Sequence, residues 1–202
     1  MTFVYTALGD SLTVGKGDFF RAGFVTHYAN LIEKSIHQKV SLNIQAQSGI
    51  TSSQFIQKLQ NRETRRAIAE ADFITITLGG NDLLQALRFH DLHMVEKSLK
   101  LFSQNMSFIL KEIHNIKSYV RKRHCSIQLI GLYNPVPQLP YSHFIIQRYN
   151  QALHAFTSTH VSYVDVYNAF RQQLANLLAT DGHPNHLGHK LIAETAYRSA
   201  LT

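Results

Sequence analysis

The sequence contains a single cysteine, Cys125, so no disulfide can close within the chain and the fold makes no demand on an oxidising compartment. Cys125 opens a β-like run and is read as an inert, buried thiol. With only 4 prolines and 10 glycines, collagen-like and low-complexity readings are excluded. No apolar run approaches the roughly 18 residues that would span a bilayer. Neither a basic start nor a long apolar signal core precedes Phe3-Val4-Tyr5, which suits a cytoplasmic chain, or a secreted one whose leader has been removed. Acidic residues are few as well: 13 against 20 Lys and Arg, a formal charge of +7. The excess is scattered, and its densest groups, Arg62, Arg65, Arg66 and Arg121-Lys122-Arg123, have no aromatic stacking pattern beside them. They read as solvated surface, and no nucleic-acid partner is expected.

What remains is ample material for a core, with 202 residues of which 45% are hydrophobic. Short β-like runs at 3–8, 40–46, 73–78, 126–132 and 161–164 alternate with helical patterns at 24–36, 92–119, 144–156, 166–178 and 187–200. The helix at 92–119 repeats Leu92, Val95, Leu99, Phe102, Met106, Ile109, Ile113 and Ile116 on one face. Its length leaves room for an exposed end against a second copy, a homo-oligomer contact. Strand–helix alternation predicts an α/β fold: a flavodoxin-like three-layer α/β/α sandwich with a five-stranded parallel sheet, formed by 1–202 as a single domain. In such sheets, function gathers in loops beyond the strands' C-terminal ends.

Four polar segments fall at that edge. Gly9-Asp10-Ser11-Leu12 follows the first run, Gln47-Ser48-Gly49-Ile50-Thr51 the second and Gly79-Gly80-Asn81-Asp82 the third. Asp181-Gly182-His183-Pro184-Asn185 lies before the last helix. Each has an ordinary structural reading, since Asp and Ser cap helices and Gly ends strands. Together they supply a serine, a histidine base, backbone N–H groups and a side-chain amide, which independent capping would not require.

In order and spacing these blocks resemble those of the SGNH (GDSL) hydrolase superfamily, over Gly9 to His183. The resemblance implies a GDSL-type esterase or lipase, an acylhydrolase acting on a small-molecule or lipid ester with no metal or cofactor. It makes Ser11 the nucleophile and His183 the general base, with the N–H groups of Ser11 and Gly49 and the Asn81 amide as the oxyanion hole. The family usually carries its triad acid three residues before the histidine, where this chain has Thr180. Asp181 stands two residues before His183 and is taken as the third member, the alternative being a backbone carbonyl such as that of Thr180. Asp10 and Asp82 are read as loop braces, and Asp165 as a helix cap.

The spacing of His183, His186 and His189, and of His90 and His93, suggests zinc chelation at helical i and i+3. Pro184 and the helix start after Asn185 argue against one chelating face. Two other classes compete: a silent module binding an anion at the same edge, and a polyanion-binding protein. Segments 83–93 and 134–143 are expected to shape the substrate pocket. Neither the acyl chain nor the alcohol is legible.

Overall fold

The computed structural model describes residues 2–20, 22–88, 91–120 and 125–200. Five strands, β1 (Phe3–Gly9), β2 (Val40–Ala46), β3 (Phe73–Thr77), β4 (Ser126–Ile130) and β5 (Val161–Val164), form one sheet in the order β2-β1-β3-β4-β5. Every pairing is parallel. Central β3 reads Phe-Ile-Thr-Ile-Thr and is buried throughout, as expected of a strand covered on both faces. Edge strand β2 interleaves Ser41, Asn43 and Gln45 with apolar residues and is only partly buried.

Helices cover both faces. On one, α3 (Ser52–Lys58), α4 (Arg62–Glu70), α5 (Gly80–Leu87), α6 (Leu92–Ser118) and α7 (Ser142–His154) pack onto Leu8, Ile74, Ile76, Ile127 and Leu129. On the other, α2 (Gly23–Ile36), α8 (Val166–Arg171), α9 (Leu174–Leu177) and α10 (His186–Ser199) cover Tyr5, Ala7, Phe73 and Ile130. The one-turn helix α1 (Ser11–Val14) opens at the end of β1. This is the expected three-layer sandwich. The long helix α6 buries Val95, Phe102, Met106, Ile109, Ile113 and Ile116. Each such side chain contributes about 1.5–3 kcal/mol on burial. Leu92, at the start of the stripe, stays 57% exposed.

Where the elements differ from expectation, hydrogen bonding explains it. The fourth strand stops at Ile130 because the Leu132 N–H donates to Asn150 Oδ1 at 2.7 Å and the Leu132 carbonyl accepts the Asn150 amide N–H at 2.9 Å. The helix expected over 166–178 breaks into α8 and α9. Asn185 then closes α9, its N–H taking the Leu177 carbonyl at 2.8 Å and its amide those of Asn176 and Leu178. Helix α4 carries Arg62, Arg65 and Arg66, the basic group read as solvated surface, whereas helix α3 matches none of the expected helical patterns. They are short and start on local caps, Thr51 with Gln54 as a capping box and Asn61. Cys125 is partly exposed rather than buried, because it precedes β4 instead of lying within it. The Arg121-Lys122-Arg123 cluster lies outside the described residues.

Candidate active site

The chain leaves β1 for β2 on one side of the sheet, and later places β3 on the other side of β1. Parallel strands that part in this way open a crevice beyond their C-terminal ends. Ser11 stands in it. The Asp10 side chain accepts the Leu12 N–H at 3.0 Å, which caps α1 and fixes Ser11 as its first residue. Ser11 Oγ lies 2.9 Å from His183 Nε2.

His183 rides on the loop between α9 and α10. Its carbonyl accepts the Ala179 N–H at 2.8 Å, and its own N–H donates to Asp181 Oδ1 at 3.1 Å. The Tyr133 hydroxyl donates to the Gly182 carbonyl at 2.8 Å, bracing the loop from beyond β4. Asp181 Oδ2 is 3.1 Å from His183 Nδ1. That oxygen is close to the ring but poorly aligned with its N–H, so buried Nδ1 makes no well-formed hydrogen bond among the described residues, to Asp181 or to a loop carbonyl. Spacing is the reason. A carboxylate two residues before the histidine uses Oδ1 on the backbone in an Asx-type turn, which sets its plane for that bond. Asp181 is also 45% exposed at its side chain and sits 3.5 Å from Lys16 Nζ. The His183 backbone N–H first, then the charge and ring N–H of His183 and the Lys16 charge, hold its carboxyl below the ordinary aspartate value against the cost of burial.

Opposite Ser11, Asn81 begins α5's first turn and donates its side-chain amide to the Ile50 carbonyl at 2.9 Å, leaving its second N–H for another acceptor. The backbone N–H groups of Ser11 and Gly49 have no protein acceptor among the described residues. Gly79 makes the turn into α5 with φ +111, and a Cβ there would meet the Phe102 ring at 2.9 Å. Asp82, buried, takes the Ser52 N–H at 2.9 Å and the Ser52 hydroxyl, tying α5 to α3. Asp10 accepts the Thr77 hydroxyl at 3.0 Å as well as the Leu12 N–H. Burial pushes the Asp10 carboxyl up to about 6 despite those donors.

Ser11, Gly49, Asn81 and His183 all line one cavity of about 290 Å³. Its far wall is aliphatic: Leu83, Leu84 and Leu87 from α5, Leu132, and Val136 and Leu139 from the proline-rich loop. Of the segments expected to shape the pocket, Leu83, Leu84 and Leu87 of the first and residues from Pro135 to Ser142 of the second line it, whereas Asp91, Leu92 and His93 do not. Asp181 is not among the lining residues.

Residues 7–191 match the GDSL-like lipase/acylhydrolase family. The chain belongs to that family. It is 34% identical to the spore germination lipase LipC of Bacillus licheniformis, over 96% of this chain and 94% of the relative. The crystal structure of the lipase Lip_vut3 from a goat rumen metagenome superposes with a TM-score of 0.92 at 33% identity, covering 98% of this chain and 97% of that one. A carbohydrate esterase of Clostridium thermocellum shares the fold at 18% identity, with a TM-score of 0.72 over 100% and 96% of the two chains. The protein is thus an ester-hydrolysing enzyme rather than a silent binding module. Among its described residues, no helix is long and apolar enough to cross a membrane.

In this GDSL-family hydrolase the other spaced histidines do not share a face with His183. His186 Nδ1 lies 3.2 Å from Asp18 Oδ1, and His189 is fully buried, its Nδ1 accepting the Phe24 N–H and its Nε2 donating to the Lys16 carbonyl. The i, i+3 spacing therefore does not put His183, His186 and His189 on one chelating face. His90, the partner proposed for His93, lies outside the described residues. Sequence reasoning missed Tyr133, Lys16, Ile145 and Ile146. Tyr133 carried a usable signal, an aromatic just beyond a central strand. The two isoleucines look like ordinary core positions of α7 until the cavity is seen.

Proposed function

We propose that this hydrolase cleaves carboxylic esters of apolar acyl chains through an acyl-enzyme on Ser11. The observation that carries the proposal is the 2.9 Å contact between Ser11 Oγ and His183 Nε2 at the mouth of an aliphatic cavity. A serine hydroxyl is a weak nucleophile unless a base takes its proton as it attacks. His183 Nε2 receives that proton while Oγ bonds to the ester carbonyl carbon. The carbonyl oxygen becomes an oxyanion and meets the N–H groups of Ser11 and Gly49 and the free N–H of Asn81. Collapse breaks the bond to the alcohol oxygen, which leaves with the proton from His183. Water then enters, gives a proton to His183 and its oxygen to the acyl carbon, and the carboxylic acid departs as Ser11 recovers its hydrogen.

Asp181 completes the set as an electrostatic partner of the imidazolium, 3.1 Å from Nδ1. Half exposed and shared with Lys16, it is a weaker orienting group than a buried, aligned triad acid. The leucine-rich wall favours acyl chains over sugar hydroxyls, which would leave their hydrogen bonds unmet there. A series of p-nitrophenyl esters tests the assignment. kcat/KM should rise from acetate to medium-length chains by at least 10-fold. A maximum at acetate, falling with each added carbon, would contradict the acyl-chain reading.

A further inference from the structure

Beside the catalytic loop lies a second cluster that ester hydrolysis does not use. Asp18 sits in the segment between α1 and α2, His27 on α2, and His186 at the first position of α10. One carboxylate oxygen of Asp18 and one ring nitrogen from each histidine lie within 4.8 Å of one another. The Asp18 carboxylate is buried and held in place, accepting the Phe20 N–H at 2.9 Å and the Gly23 N–H at 3.0 Å. The two imidazoles meet edge to face with centroids 5.0 Å apart, and Phe20 covers the outer side of His186 at the same distance. His27 Nε2 is shut off from water and has no hydrogen-bond partner among the described residues. A buried polar nitrogen left in that state costs free energy that a ligand would recover.

From this arrangement we infer that Asp18, His27 and His186 form a binding site for a zinc-type divalent cation. Metal–ligand bonds of about 2.0–2.1 Å in a tetrahedral shell set neighbouring donor atoms about 3.3 Å apart. His186 Nδ1 and Asp18 Oδ1 already stand at 3.2 Å. The His27 donor lies within the 4.8 Å that bounds the three and would draw in to complete the shell. Two imidazoles and one carboxylate select zinc, cobalt or nickel over magnesium or calcium, whose preferred ligands are all oxygen. The fourth position would be open to water.

The site has a structural consequence at the active site. The segment that carries Asp18 also carries Gly17, packed on the Pro184 carbonyl and the His183 Cβ, and Lys16, which pairs with Asp181. A cation joining this segment to α2 and α10 would clamp the support of the catalytic histidine. Its role is to bind and stabilise, separate from the chemistry at Ser11.

Cobalt(II) titration of the whole protein, followed by its visible ligand-field bands, tests the site without an activity assay. The expected result is one cobalt per chain, displaced by zinc, with zinc also raising Tm. His27→Gln and His186→Gln, checked for native circular dichroism, should each weaken binding at least 30-fold. His183→Ala should bind cobalt as the native protein does. Binding that survives both glutamine variants, or that disappears only with His183→Ala, would overturn the assignment, as would no stoichiometric binding at all. If one glutamine variant fails to fold, the other carries the comparison.

Discussion

Between Asp181 and His183, a carboxylate is close enough to influence the imidazole but not aimed along its N–H. In the serine-protease template, loss of an aligned acid lowers kcat by roughly 10⁴-fold. Here Asp181→Asn should lower it by only about 10- to 100-fold, measured on the best p-nitrophenyl ester, because the surviving contact is electrostatic and solvent-screened. Asn81→Ala should cost roughly 10²- to 10³-fold in kcat with little change in KM, since the role proposed for its free N–H is to meet charge that develops only in the transition state. Asp10 makes a different prediction. Its carboxyl is raised to about 6, so the folded state holds the proton more tightly than the unfolded chain does. The stability this gives is fully present below the ordinary aspartate value and is lost as pH rises through about 6. The shift corresponds to about 3 kcal/mol. Urea unfolding between pH 4 and 7 should show the native protein losing stability relative to Asp10→Asn, whose amide oxygen keeps the bonds from Leu12 and Thr77. At this scale the sequence was legible in the placement of Ser11, Gly49 and Asn81 around one cavity, because each follows a strand. The aim of the Asp181 carboxylate was not, because it depends on which donor claims each oxygen.

Between elements, the decisive contacts are made by short backbone segments rather than by helices. Gly17 adopts φ +94, and a Cβ on it would stand 2.3 Å from the Pro184 carbonyl oxygen and 2.8 Å from His183 Cβ. Gly17→Ala should therefore push the His183 loop off Ser11. We expect kcat to fall at least 10-fold with a modest loss of stability, read by a p-nitrophenyl ester assay and thermal unfolding in parallel. An active, normally stable variant would mean that this packing does not position the base. Nothing in the local sequence near Gly17 announces the contact, because its partners lie more than 160 residues away. Single side chains also set the end of β4 and the end of α9. There, Asn150 on α7 and Asn185, the cap of α10, bond backbone groups that local pattern assigns to strand and helix. Strands and long helices were readable because their apolar periodicity is local. Their ends were not, because side chains of other elements decide them.

Across the whole molecule, the sheet order puts the loops after β1, β2 and β3 on one edge, and the α9–α10 loop returns the histidine to it. That convergence was legible from the order of strand-end motifs, since a parallel sheet leaves few ways to arrange them. The cavity was less so: its aliphatic wall draws on α5, α7 and the proline-rich loop, which meet only in the folded chain. With both sheet faces covered by continuous apolar clusters, chemical unfolding should follow one cooperative transition, with fluorescence and circular dichroism coinciding. The central claim is covalent catalysis at Ser11, and the most direct measurement is mass spectrometry of the protein after reaction with an organophosphonate ester analogue. The account predicts complete loss of esterase activity with one adduct per chain, mapped to Ser11. An adduct on any other residue, or full turnover by a protein that carries none, would contradict it.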